Sequence, residues 1–145
     1  MIDLTQHLKI LLASTFSLYL KTQFFHWNVE GEEFIQLHEF FKNQYEELWS
    51  SVDDIAEKIR SLDSYSPGSL GRYLELSLVT DQTKIPNSRM MITILHDDHI
   101  IVKNQLNTCI SLCEEFNQQG VLNFLAQRME IHEKHIWMLR SLIKK

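Results

Sequence analysis

From Phe34 onward, apolar or aromatic residues fall at positions 34, 37, 41, 45, 48, 52, 55, 59 and 62, in alternating steps of three and four. Side chains at that spacing share one face of an α-helix, so the segment predicts a long helix with a single buried stripe. The same periodicity runs from Leu4 to about Trp27, from about Ser88 to Phe116 and from about Val121 to Ile143, which makes four helices. Glu30-Gly31 is a short first connection and Asn117 to Gly120 a short last one, and short links set neighbouring helices antiparallel. Asn87-Ser88, after Pro86, supplies N-caps for the third helix. The middle connection, roughly Asp63 to Pro86, is long enough to run the length of a bundle, and Leu70 to Val79 within it predicts an extra short helix.

Composition narrows the picture. A chain of 145 residues at 44% hydrophobic content is one domain, residues 1–145, able to bury its own core. With four glycines and two prolines it has too few turn-formers for a sandwich or barrel. The fold class expected is all-α: a four-helix bundle with one long crossover, which is the ferritin-like topology. Apolar runs such as Ile10 to Ala13 and Met90 to Leu95 fall short of the roughly 18 to 20 residues of a membrane span. The acidic start at Asp3 does not read as a secretory signal, so the cytoplasm is the expected compartment. Cys109 and Cys113, four apart on a helix, read as buried thiols rather than a redox pair. The net charge of −5 and scattered basic residues give no phosphate-binding surface, and no Gly-rich phosphate loop or Gly-x-Ser-x-Gly elbow occurs.

The polar residues with chemistry lie around two helices. His26 closes the first in the run Phe24-Phe25-His26-Trp27-Asn28, and His38 lies one position off the stripe of the second. Asp53 and Glu57, further along that helix, are spaced i and i+4 and aim to one side. Two imidazoles and two carboxylates suit a borderline divalent metal such as iron, manganese or zinc. His38 and Glu57 are 19 residues apart, about 28 Å along one helix, so they cannot meet within it. Two copies of this helix packed antiparallel, with the midpoint near Tyr45 to Glu47, bring His38 of one chain opposite Asp53 and Glu57 of the other. A second reading stays open on these residues alone: Asp53 and Glu57 as solvated charges or partners of Lys58 and Arg60, and His26 as a capped histidine. A ferritin pattern with a Glu-x-x-His pair on each of two helices is absent, which disfavours a di-iron site inside one chain. His96-Asp97-Asp98-His99 reads as a solvated helix face, and His132, with Glu133 and Lys134, as polar contacts between helices.

The runs from Tyr19 to Gly31, Leu37-His38-Glu39, Tyr45 to Leu48, Val52 to Arg60, and Gln127 to Lys134 through Trp137 to Arg140 resemble the Dps family, the small ferritin-like proteins of starved cells. The likeness covers nearly the whole chain, and the His-Trp-Asn run followed by Leu-His is its most specific part. It implies a homododecamer built from two-fold dimers, a hollow shell that oxidises ferrous iron with hydrogen peroxide and stores the ferric product, protecting against oxidative stress. Carried over, His26 and His38 of one subunit and Asp53 and Glu57 of its partner are the iron ligands, with zinc as a competitor, and Trp27 accepts an oxidising equivalent.

The chain departs from the family pattern at several points. Where a carboxylate is expected one turn after the second histidine stands Lys42, whose ammonium has no lone pair to give a metal. Asn123 and Gln118 or Gln119 stand where pore carboxylates are expected, which weakens the cation funnel. The start Met1-Ile2-Asp3 and the end Lys144-Lys145 lack the lysine-rich tail of DNA-compacting members, so DNA binding is expected to be weak. The rival expectations are a shell with an iron site degraded by Lys42, acting structurally, and a DNA-protecting nucleoid protein.

Overall fold

The structure, a computed structural model, describes residues 1–144. It consists of α1 (Ile2–Asn28), α2 (Phe34–Ser61), α3 (Leu70–Leu76), α4 (Ser88–Glu115) and α5 (Gln119–Ile143), with no strand among the described residues. α1 pairs with α2, α4 pairs with α5, and α1 also packs on α4 and α3. This is the expected all-α bundle with a helix in its long crossover. None of the described helices is long and apolar enough to cross a membrane.

The stripe of α2 does become core: Leu37, Phe41, Leu48, Ile55 and Ile59 are buried against Leu8, Leu11, Leu18 and Phe25 of α1 and Leu95, Val102, Leu106 and Leu125 of α4 and α5. Burying a side chain of this size stabilises by about 1.5–3 kcal/mol. Asn87 caps α4 as expected, its side chain accepting from Met90 N at 2.8 Å. Two ends differ from expectation. The short helix stops at Leu76, because Ser77 is extended. Gly120 lies inside α5, and the turn before it is made by Asn117 at φ 56, with Gln118 N donating to Cys113 O at 2.8 Å. Asp63, at φ 61, ends α2 in the same way, with Ser64 N donating to Ile59 O. Short polar side chains tolerate this left-handed conformation, which is how a glycine-poor chain closes its helices. Ser14 Oγ accepts from Leu78 N at 2.9 Å and pins the crossover onto α1. Cys109 and Cys113 are buried free thiols, pushed up by burial to about 12 and about 11.

The interior is not wholly apolar. Lys21 of α1 pairs with Asp98 of α4 at 2.8 Å, both nearly inaccessible to water. His99 is fully buried, so the solvated face expected for His96 to His99 is corrected there: α4 turns Asp98 and His99 inward, where Lys21 and α5 supply partners. Deeper in the bundle, Arg128 forks onto both carboxylate oxygens of Glu47 and donates to His132 Nε2 at 3.1 Å. Since His132 Nε2 accepts, its proton sits on Nδ1 and is donated to His99 Nδ1 at 2.9 Å. His99 then carries its own proton on Nε2, which has no partner. His135 Nε2 donates to Glu47 Oε1 at 3.1 Å and Nδ1 accepts from Gln44 at 3.2 Å. His132 therefore does bridge helices, as expected.

Two consequences are measurable. Removing one partner of a buried ion pair strands the other charge, so Lys21→Met is expected to cost about 3–5 kcal/mol in urea unfolding, with Lys21→Met/Asp98→Leu recovering most of it; a loss below about 1 kcal/mol would contradict the pairing. Burial, with the charges of Arg128 and the neighbouring imidazoles, holds His99 and His132 well below the usual 6.5. Below that pH the unfolded chain binds more protons than the folded one, so stability drops by up to about 1.4 kcal/mol per pH unit for each group. Glu47 adds a loss of the same sign from 4.5 downward: burial alone would raise it, but hydrogen bonds from His135 and Arg128 and the Arg128 charge hold it at about 2. Unfolding at fixed protein concentration should show a slope of about 2 kcal/mol per unit or more between pH 6 and 5; a flat profile there would show that these histidines are not held neutral.

Candidate metal centre

His26 lies in the last turn of α1 and His38 in the second turn of α2, and the connection at residues 29–33 folds one helix back on the other. Gly31, at φ 116, makes the reversal in a conformation that side chains resist. The two imidazoles stack at 3.8 Å between centroids, 19° from parallel, with Phe34 against the outer face of His38 at 5.1 Å. His26 Nδ1 lies 2.6 Å from His38 O, and His38 Nδ1 lies 2.8 Å from His26 O. A carbonyl oxygen only accepts, so each Nδ1 carries the proton and donates. Both Nε2 atoms are thereby left with their lone pairs, on rings whose rotation is fixed by the backbone of the opposite helix. Second-sphere bonds of this kind orient metal-binding histidines and set their tautomer.

Asp53 and Glu57 do not join them. α2 is unbroken from Phe34 to Ser61, and both carboxylates are exposed toward its far end. Among the described residues neither makes an ion pair: Lys58 Nζ sits over the Phe124 ring at 5.4 Å and Arg60 over Tyr65 at 4.9 Å, so of the two open readings for Asp53 and Glu57 the chain forms solvated charges rather than pairs with Lys58 and Arg60. Lys42, half-buried one turn after His38, also makes no ion pair among the described residues. Trp27, beside His26, is 61% exposed and borders an apolar groove of about 430 Å³ between α1 and α3, with Leu20, Phe24, Leu70 and Leu74.

Among the described residues of a single chain, no group of three or more His, Cys, Asp or Glu side chains converges on a point that a metal could occupy. The bundle interior holds three histidines and Glu47, but the Arg128 guanidinium already neutralises that carboxylate, and a fixed cation there repels a metal ion. Sequence reading missed Gln44, Glu47, His99, Arg128 and His135 as a connected interior. A signal existed: His99 falls in phase with Leu95, Val102, Leu106, Cys109 and Cys113, and Arg128 and His132 with Val121, Leu125 and Leu139, on the buried faces of their helices.

Known proteins share this architecture. The family model for the ferritin-like domain matches residues 5–145. A low temperature-induced protein of Nostoc sp. is 36% identical over 135 residues, 92% of this chain and 75% of its own length. The Dps protein of Vibrio cholerae O1, described as a member of a broad superfamily of ferritin-like diiron-carboxylate proteins, superimposes with a TM-score of 0.94 at 29% identity, covering 98% of this chain and 89% of that one. Dps from Staphylococcus aureus gives a TM-score of 0.96 at 27% identity, covering 100% and 97%. The helices, the crossover with its short helix and the domain match agree from one end of the described chain to the other, and the chain belongs to the Dps family of ferritin-like proteins.

Proposed function

We propose that this protein is a ferroxidase and iron-storage shell that takes ferrous iron and hydrogen peroxide as substrates and so protects against oxidative stress. Iron storage and oxidative protection are the general functions its family supports, and oligomeric shell assembly is the usual form of its structural neighbours. The observation that carries the reading for this chain is the reciprocal bonding of His26 and His38, which leaves both Nε2 lone pairs free on stacked rings with no third His, Cys, Asp or Glu ligand converging on them among the described residues of the same chain.

The missing donors come from a second copy. A contiguous apolar groove at the surface is the mark of an interaction site, and one is lined by Trp27, the residue next to His26 in the chain. A two-fold axis near the middle of α2 places the partner's Asp53 and Glu57 against the histidine pair and repeats the site twice. Two neutral nitrogens and two carboxylates suit ferrous iron, and leave zinc able to compete. Covering the groove excludes water, which strengthens the attraction between the carboxylates and the ion. In the reaction, two ferrous ions give one electron each to peroxide, which takes up two protons and leaves as two water molecules. Where a single ferrous ion is in reach, Trp27 supplies the other electron. The charge of −5 per chain leaves binding to DNA weak.

His38→Ala removes one donor and the bond that orients His26. Stopped-flow oxidation of ferrous iron by peroxide should slow by about tenfold or more in this variant; an unchanged rate would take the histidine pair out of the reaction.

A further inference from the structure

Three charged side chains around the proposed site have no partner among the described residues of their own chain: Lys42, Asp53 and Glu57. Lys42 is half-buried on the face of α2 that also carries His38, one turn before it. From the antiparallel packing of two α2 helices, we infer that Lys42 pairs with the partner's Asp53 and stands in for a second metal ion, so that each site takes one ferrous ion rather than two. The inference rests on the inter-subunit site proposed above.

Register separates the two carboxylates. With the two-fold axis at residue 46, His38 faces position 54 of the partner and Lys42 faces position 50. The partner's Asp53 is then displaced from His38 by about 1.5 Å along the axis and from Lys42 by about 4.5 Å. With packed helix axes about 8–10 Å apart, the second offset corresponds to a separation of roughly 9–11 Å, which the lysine stem and the aspartate side chain span together. The partner's Glu57 lies about 4.5 Å along the axis from His38 but about 10 Å along it from Lys42, which with the gap between the axes makes roughly 13–14 Å, a longer span than that to Asp53. Asp53 is thus shared, with one oxygen toward the ammonium and the other toward the histidine pair, whereas Glu57 is left to the iron alone.

Charge leads to the same count. Asp53 and Glu57 bring −2 and Lys42 brings +1, a balance of −1 that one ferrous ion turns to +1. A second ferrous ion would make it +3 beside an ammonium that donates no lone pair, and like charges that close repel strongly in a water-poor pocket. Lys42→Glu shifts the balance by −2, the charge of one ferrous ion, and adds a ligand at the vacated place.

Anaerobic calorimetric titration of the assembled protein with ferrous ammonium sulfate counts the ions directly. One ion per subunit in the wild type and two in Lys42→Glu is the expected pair of results. Two in the wild type, or one in a Lys42→Glu protein of native size, would overturn the role given to Lys42 and leave the histidine site standing. If Lys42→Glu fails to assemble, the wild-type count decides alone, one sustaining the inference and two overturning it. No binding in either protein would instead overturn the proposed site itself, and the inference with it.

Discussion

An unbroken α2 keeps His38 and Glu57 about 28 Å apart, and no rearrangement of side chains closes that gap. Everything proposed for this chain turns on the resulting separation of nitrogen and oxygen donors. The histidines are fixed in place by backbone carbonyls, the carboxylates stand exposed with no ion pair among the described residues, and the groove beside Trp27 leaves apolar surface open to water. Each of these is expensive or idle in an isolated chain. The proposed two-fold partner would offset all of them together, by covering the groove and giving the carboxylates a cation to hold.

The bundle interior follows the opposite logic. Ferritin-like di-iron proteins place their carboxylates and histidines there, on facing helices. Here Arg128 lies among Glu47, His99, His132 and His135, supplying the positive charge and hydrogen bonds that a metal would otherwise give. The cluster joins α2, α4 and α5 through polar contacts whose geometry is more selective than apolar packing, at the cost of orphaned donors and acceptors on His99, Arg128 and Gln44. With the interior occupied in this way, the proposed metal site rests on the lone pairs of His26 and His38 at the end of the first helical hairpin.

Much of this was legible in the sequence. The alternation of threes and fours located the long helices to within a few residues, because burial of one stripe dictates it, and Asn87 announced its own cap. The spacing of His38 and Glu57 excluded a single-chain site before any coordinates. The last connection, expected over Asn117 to Gly120, is shorter, because Asn117 takes the left-handed position and α5 begins at Gln119. His99 and Asp98 were read as solvated because polarity outweighed phase: both face the core, and their partners Lys21 and His132 are distant in sequence. The reciprocal bonds between His26 and His38 depend on the path of the loop between them, which no residue pattern specifies.

Complementation between chains tests the shared site most directly. A His38→Ala chain and an Asp53→Ala/Glu57→Ala chain each lack one half of it. Co-assembled in equal amounts, half of their dimers are mixed, and in each of these one of the two sites at the interface pairs an intact histidine set with intact carboxylates. Ferrous oxidation by peroxide should then recover to about a quarter of the wild-type rate, the statistical share of complete sites in a two-fold assembly. A mixed shell no more active than the two variants alone would contradict a site divided between copies.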